Sequence, residues 1–427
     1  MSKRRPIARW VRGAVAAWTL AFLAASGASA SPADSQAGRE RSNRPHFVNI
    51  ATLPKEELRA LPAPVPLSTY LRTHKDKAAA SPSQHHGFAG EGDLRAECAK
   101  HEAQAKSKKG WIKSRFESCF KRHYDLILRD RANTEAIGRL IFDAWVLGFA
   151  YDGKRRVDFA VSVENIYVAA DSGQNARTWR IAQQFSHAID TGESDPGAAV
   201  TEPTVKRRDD LLGEWNSTPH WNLVYTSPDN GPQHRTGNLQ RVQAIIDMDT
   251  AVTSPSVDPY VEVASHQNLV RFDYAGPIVG KHKGTVFTQA RVELVMSMKD
   301  STVNESALHI HDAQKRPERT FPSFVGKTVP GENDPLHRVT DPNKIEDQRR
   351  HSIKECNKVW GDCTGTRLQC DEYPFASTRE GSLKGDNRFS VRLIEGTDNN
   401  NGGKAIQATY DANRILNGDP FYVEITP

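Results

Sequence analysis

Long alternation of apolar and polar residues is the feature that most restricts the fold of this chain. Between Val157 and Val163 every second residue is Val or Phe, and Asp, Ala and Ser stand between them. That period of two is typical of a strand with one buried face, and the preceding Asp152-Gly153 indicates a hairpin. Similar alternation recurs at 221–225, 239–248, 269–274 and 286–298. We therefore predict a β-rich domain over residues 134–312.

The length of 427 residues exceeds what one hydrophobic core usually holds, so further domains are expected. Residues 31–92 are rich in Ala, Ser, Pro and charge without a sustained period, which predicts a disordered linker or propeptide. Four Pro and two Gly between Pro317 and Pro335 indicate a second linker over 313–335. A last domain is then expected over 336–427, and the sequence makes no prediction of the oligomeric state.

Residues 93–133 are expected to be a basic helical segment. Apolar side chains such as Phe116, Phe120 and Tyr124 recur there at helical spacing. Eleven Lys or Arg stand against five Asp or Glu between Arg95 and Arg131, which suits either a phosphate-facing surface or a solvated helix face. The net charge of the whole chain is only +5, so bulk charge does not indicate a nucleic-acid binder.

The N-terminus has the layout of a secretory signal peptide. A basic stretch precedes an apolar run at 14–25, and Ala28-Ser29-Ala30 provides small residues for cleavage near Ala30. The apolar run is too short to span a bilayer, and no later window offers eighteen apolar residues. We expect an exported protein without a membrane span.

Five cysteines fall into two groups, and an oxidising compartment favours disulfides in both. Cys98 and Cys119 lie in one predicted helical segment and are expected to pair. Cys356 and Cys370 are expected to pair in the last domain, which leaves Cys363 as the free thiol; a Cys363–Cys370 pairing is the alternative. A structural zinc site is disfavoured because the cysteines lack CxxC pairs.

His309-Ile310-His311 falls at the end of the predicted β-rich domain. In a strand, both imidazoles would lie on one face. That placement suits a metal-binding pair, but a surface strand that happens to carry two histidines is the simpler interpretation.

The last ninety residues predict a smaller α+β unit. Asp341 and Pro342 are a helix cap and a first helical residue, followed by a helix to about Lys358. Two carboxylates, Asp371 and Glu372, precede Tyr373-Pro374. A strand, an Asn-rich loop at 398–403, a helix at 404–416 and a closing strand then follow.

The run Cys370 to Gly381, CDEYPFASTREG, is followed by a strand at 390–394 and by Asp398-Asn399 with Gly402-Gly403. This combination resembles the NucA/NucB family of secreted bacterial deoxyribonucleases, over about residues 335–427. Length and residue pattern predict a multidomain α+β protein, and the resemblance implies that its small C-terminal domain is a nuclease domain with a strand-loop-helix metal site.

The resemblance also implies roles for individual residues. Asp371 and Glu372 would be the catalytic carboxylates, and both would bind Mg²⁺ or Mn²⁺ together with Asn399 and Glu380. Arg379 and Arg388 are candidate phosphate-binding residues, because guanidinium matches phosphate geometry. No histidine follows His351, so the general base is a carboxylate or an imidazole from outside this segment, such as His337.

Three functions are consistent with these features. The first is a secreted, metal-dependent, sequence-nonspecific endonuclease that acts on DNA, with RNA not excluded as a substrate. The second is a nuclease toxin that the β-rich region delivers, which predicts an immunity or inhibitor protein. The third is an inactive module that binds DNA or a surface.

Overall fold

Twelve strands between residues 46 and 287 form one curved, half-barrel sheet, so the predicted β-rich character is confirmed. The computed structural model describes residues 44–73, 90–171, 173–228, 240–275, 278–279 and 281–427. The predicted signal peptide lies outside these residues. The strands of this sheet are β1 (His46–Asn49), β2 (Val65–Pro66), β3 (Trp111–Ile112), β4 (Glu117–Arg129), β5 (Ala136–Ala150), β6 (Arg156–Ala170), β7 (Arg180–Ile189), β8 (Arg207–Leu211), β9 (His220–Thr226), β10 (Gln240–Ser254), β11 (Val257–Tyr274) and β12 (Lys283–Phe287).

The strand order is β2-β6-β5-β4-β1-β11-β10-β7-β8, with β3 on β4, β9 on β6 and β12 on β11. Two large clusters of buried apolar side chains pack against this sheet, and Trp179, Trp215, Phe159 and Phe272 are among their largest members. Long, half-buried strands of this kind explain the period-two pattern of the sequence. We call residues 44–287 the sheet region.

Strand β1 corrects the expectation of a linker or propeptide at 31–92. It lies inside the sheet between β4 and β11, and Phe47 is buried in the core. The apolar stretch here is only four residues long, which is too short to show a period. Residues 46–49 are therefore part of the folded sheet.

The segment 93–133 is only partly helical. Helices α1 (Leu67–Thr73), α2 (Glu91–Lys100), α3 (Glu102–Ala105) and α4 (Leu212–Ser217) accompany the sheet. Within 93–133, however, β3 and β4 follow α2 and α3, with turns between the elements. Phe116, Phe120 and Tyr124 are four residues apart, and that spacing places side chains on one face of a helix or of a strand alike. The Cys98–Cys119 disulfide predicted from the sequence is present and joins α2 to β4.

Residues 288–427, which we call the C-terminal region, hold two small sheets and three α-helices among the described residues. Strand β14 is antiparallel to β17 and β13 is parallel to it, while β15 and β16 form a separate hairpin. The elements are β13 (Glu293–Ser297), α5 (Asn304–Lys315), β14 (Leu336–His337), α6 (Pro342–Trp360), β15 (Leu368–Tyr373), β16 (Ser390–Glu395), α7 (Gly396–Ala412) and β17 (Pro420–Thr426).

Two expectations for the C-terminal region are wrong. His309 and His311 lie on helix α5, where Ala307, Ile310 and Ala313 are buried at helical spacing. The Asn-rich stretch 398–403 is the beginning of α7 and no loop separates it from β16. Glu395 explains this second difference, because its carboxylate caps α7 by accepting from the backbone N–H groups of Thr397 (2.6 Å) and Asp398 (3.2 Å).

A buried charge cluster joins the two regions. Asp419 accepts from Arg271 and, at 3.2 Å, from Arg241, while Arg414 reaches back to Asp273 and Asp152. Burial acts to raise the pKa of Asp419, but the guanidinium groups of Arg271 and Arg115 outweigh it and hold this pKa below its ordinary value. The cluster therefore ties the turn before β17 to strands β10 and β11.

Candidate active site

The hairpin β15–β16 is packed between helices on both faces. Alternate residues of β15 face opposite sides, and their partners identify the two sides. Cys370 forms the predicted disulfide with Cys356 of α6. Gln369 and Asp371 instead contact residues of α7 and α5. Asp371 and Glu372 therefore project to opposite faces of the hairpin.

A cleft of about 1050 Å³ runs beside β15. Within the described residues β15 pairs only with β16, so its other edge is open. Side chains spaced four apart on α6 form one wall, and α7 forms the facing wall. The α6 wall contains Ile345, Arg349, Ile353 and Asn357, and the α7 wall contains Asn399, Gly402, Gly403, Ile406 and Tyr410.

Asp371 lines this cleft and is held from behind by a histidine. Its Oδ2 lies 2.6 Å from Nδ1 of His309, and Nε2 of the same ring lies 2.7 Å from Oγ of Ser390. The His309 side chain is fully buried, whereas the Asp371 side chain retains 13% exposure. The carboxylate is thus reachable from the cleft, and the imidazole is not.

Glu372 lines the same cleft from the α6 side. Burial and then the negative charge of Asp371 raise the pKa of Glu372 to about 7, against the opposing effect of Arg349. A carboxyl with this pKa exchanges its proton near neutral pH, as acid–base catalysis requires.

Asn399 lies on α7 and donates through Nδ2 to Oε1 of Gln369 at 3.1 Å. Gln369 is two residues from Asp371 on the same face of β15, so Asn399 and Asp371 share one side of the cleft. The neighbouring Asp398 is turned away and buried. It accepts from the backbone N–H groups of Glu305 and Ser306, both at 2.9 Å, and so caps helix α5.

The other sequence candidates lie outside this cleft. Glu380 pairs with His337, accepting from its backbone N–H at 2.8 Å and lying 2.9 Å from its Nδ1. Arg379 is exposed beside Gly418, and Arg388 donates to the Thr328 carbonyl at 3.0 Å.

The cleft contains functional candidates that the sequence reasoning missed. Arg349 is an exposed basic side chain on the α6 wall, and its nearest carboxylate is Glu346 at 3.6 Å. His309 was noticed, but as a strand residue. Cys363 is the free thiol, as predicted from the sequence, and it also lines the cleft.

The oxygen ligands in the cleft fit a hard cation only in part. Within the described residues there is no group of three or more His, Cys, Asp or Glu side chains that could hold a metal ion. Asp371 and Asn399 nevertheless provide a carboxylate and an amide on one side of the cleft. Mg²⁺ is commonly bound by one or two carboxylates, with water and substrate phosphate completing the shell.

Most residues that line the cleft lie in a segment that matches a known protein family. Residues 327–424, 98 of the 427 residues, match the family model described as Deoxyribonuclease NucA/NucB. The C-terminal part of the chain is therefore a NucA/NucB-type nuclease domain, as the sequence motif indicated. No curated protein matches the chain.

The match begins after β13 and α5, so His309 lies outside the matched residues. Across the described residues no helix is long and apolar enough to cross a membrane.

Proposed function

We propose that this protein is an exported endonuclease that hydrolyses DNA phosphodiesters without sequence preference and with Mg²⁺ or Mn²⁺, and that the β15 cleft is its active site. One observation carries the proposal. Asp371, in the family-matched segment, presents a partly exposed carboxylate to a cleft at the open edge of a strand. The two disulfides support an extracellular location.

The proposed roles follow from the two sides of the cleft. Asp371 would bind the cation or accept the proton of the attacking water, and Asn399 would supply a second oxygen ligand. A bound divalent cation would offset charge on the scissile phosphate and the leaving oxygen. Glu372 and Arg349 stand on the other side, where the carboxyl can exchange a proton and the guanidinium can bind a phosphate.

The test is plasmid cleavage by the mature chain. Supercoiled plasmid is incubated with the protein and Mg²⁺ or Mn²⁺, with and without EDTA, and two unrelated plasmids are compared for their fragment patterns. We expect nicking and then degradation that EDTA abolishes, with no preferred fragments.

Three results would contradict parts of the proposal. Cleavage that persists in EDTA would rule out the metal requirement, and discrete shared fragments would rule out the absence of sequence preference. DNA binding without cleavage in any divalent ion would favour the inactive binding module instead.

A further inference from the structure

Helix α5 is the element behind the proposed catalytic carboxylate. It precedes the family-matched residues, yet its buried residues pack in the same apolar cluster as Tyr373, Tyr410 and Phe421. Its one fully buried titratable side chain among the described residues, His309, points at β15 and β16 rather than at the apolar cluster.

The contacts of His309 fix the orientation of Asp371. A ring held at 2.6 Å and 2.7 Å by hydrogen bonds on both nitrogens has no freedom to turn about its χ2 angle. Since Oδ2 of Asp371 is engaged with this ring, Oδ1 is the oxygen left for the cleft. His309 itself has no exposed surface, so it cannot take a proton from a water in the cleft.

Helices α5 and α7 cap each other, which couples His309 to the α7 wall of the cleft. Asp398 of α7 accepts from two backbone N–H groups at the start of α5, and Glu305 of α5 accepts from the backbone N–H of Glu395 at 2.8 Å. A β-carbon on Gly402 would lie 3.0 Å from Oγ of Ser306, so glycine permits this close approach. The helix that carries Asn399 and the helix that carries His309 are thereby fixed relative to one another.

We infer that His309 is a positioning residue for the nuclease reaction: it holds the Asp371 carboxylate in the rotamer that presents Oδ1 to the cleft beside Asn399. This inference rests on the proposed function of the cleft. Residues that orient the groups around a metal or reacting water commonly change activity by about 10- to 100-fold when they are replaced.

Two substitutions at the same position separate positioning from structural support. His309→Asn keeps a donor at the same number of bonds from Cα as Nδ1, and so can still donate to Asp371. His309→Gln places its amide near the position of Nε2, towards Ser390. Each variant loses one of two buried hydrogen bonds, so similar melting temperatures are expected.

The expected result is a difference in turnover alone. His309→Asn retains most of the wild-type kcat on plasmid, whereas His309→Gln loses about 10- to 100-fold in kcat with little change in KM. His311→Asn, on the same helix and without contact to Asp371, is the matched control and stays at the wild-type rate. In an Asp371→Asn background, His309→Gln causes no further loss.

The outcomes distinguish the two hypotheses. Equal losses in both His309 variants, in proportion to their stability, would make His309 only structural and overturn the inference, as would two fully active variants. If Asp371→Asn keeps wild-type activity, the proposed function of the cleft fails as well. Loss in Asp371→Asn but in neither His309 variant overturns only the positioning role.

A second measurement does not require any substitution of His309. In protein labelled with ¹⁵N-histidine, the Nδ1–H of His309 should give a downfield, slowly exchanging proton resonance. We expect Asp371→Asn to shift this resonance strongly and His311→Asn to leave it in place. An unshifted resonance in Asp371→Asn would contradict the hydrogen bond on which the inference depends.

Discussion

Each region of the molecule contains a fully buried histidine, and the two have opposite kinds of partners. In the sheet region, His266 contacts the Lys108 carbonyl at 3.0 Å and Oδ1 of Asn268 at 3.1 Å, and stacks on Phe120. In the C-terminal region, His309 contacts the carboxylate of Asp371. His266 has only neutral partners, and burial lowers its pKa to about 4.

The difference is that His266 lies within the core of the sheet region, whereas His309 borders the proposed active site. Strands of the sheet region bury aromatic and aliphatic side chains, and the polar partners of His266 are buried there as well. In the C-terminal region a carboxylate reaches a cleft while its other oxygen is held by a buried ring. Of these two buried histidines, only His309 has a partner that reaches a cleft, so it is the one that we connect with the proposed function.

The largest expected effect concerns the charge cluster that joins the regions. Asp419→Asn removes the negative charge between Arg271, Arg241 and Arg115, and breaking such a buried cluster costs about 3–5 kcal/mol. Urea unfolding should show this loss, and Asp411→Asn, at a partly exposed site on α7, should show almost none. If Asp419→Asn loses no more free energy of unfolding than Asp411→Asn does, the cluster does not hold the regions together.

One buried group in each region should contribute to the pH dependence of stability, and the two contributions have opposite signs. In the folded protein the pKa of His266 is about 4, below its ordinary value of 6.5. The contribution of His266 to stability is therefore present above pH 6.5 and is lost as the pH falls towards 4. In the folded protein the pKa of Glu372 is raised from its ordinary value of 4.5 to about 7. The contribution of Glu372 to stability is therefore present below pH 4.5 and is lost as the pH rises through 7.

Single substitutions should expose these opposing slopes in EDTA-containing buffer. His266→Gln removes a pH dependence of up to about 3 kcal/mol, and the variant should be less sensitive to acid than wild type between pH 6.5 and 4. Glu372→Gln should gain stability relative to wild type as pH rises from 5 to 8. Melting temperatures measured across this range that ran parallel to wild type would contradict both pKa shifts.

Asp371→Asn tests the chemistry of the C-terminal region. The substitution keeps the size of the side chain and removes its negative charge, so we expect turnover to fall by about 10² or more at an unchanged melting temperature. Asp143→Asn is the matched control in the sheet region, because Asp143 also contacts a histidine, His123, at 2.8 Å. Equal activity in the two variants would place the reaction elsewhere.

Asn399→Ala tests the second proposed ligand. Removing one oxygen ligand should raise the Mg²⁺ or Mn²⁺ concentration needed for half-maximal cleavage by about tenfold, at the lower end of the range for such changes. The maximal rate should be largely recovered at high metal concentration. A lower rate with unchanged metal dependence would argue that Asn399 contacts substrate instead.

Arg349→Ala should have the smallest effect. Loss of one phosphate contact should raise KM several-fold and leave kcat nearly unchanged. The slope of log K for DNA binding against log salt concentration should fall by about one. Arg379→Ala provides the comparison, since Arg379 lies outside the cleft. If only Arg379→Ala weakens binding, DNA follows a path other than the α6 wall.

Sequence reasoning succeeded where a pattern is local. The period of two identified the sheet, and the CDEYPF motif identified the segment that matches the NucA/NucB family, while the role of Asp371 stays a prediction. It failed where two periods coincide: Phe120 and Tyr124 of β4, and Phe116 just before it, have a spacing that places side chains on one face of a helix or of a strand alike. The Asn-rich stretch was misassigned because its helix is capped by Glu395 and contacted by Ser306, which donates to Asp398 at 2.6 Å, and residue propensities do not encode such contacts.

The candidate site was predictable only in part, for a similar reason. Asp371 and Asn399 come from the motif, but His309 lies 62 residues upstream of Asp371 and meets it only in the folded chain. Glu380 was a candidate metal ligand because of its carboxylate. In the folded chain this carboxylate pairs with His337 instead. Adjacent carboxylates on a strand point to opposite faces, so Asp371 and Glu372 could not be assigned to one ligand set from their adjacency.

The pairing of β13 with β17 has a consequence for modularity. A fragment cut at residue 327 or 336 would keep the whole motif but lose β13, and the parallel edge of β17 would be exposed. It would also lose Ala307, Ile310 and Ala313 from the apolar cluster. The smallest fragment of the C-terminal region that folds by itself should therefore begin before Glu293, and fragments cut at the boundary of the family match should be insoluble.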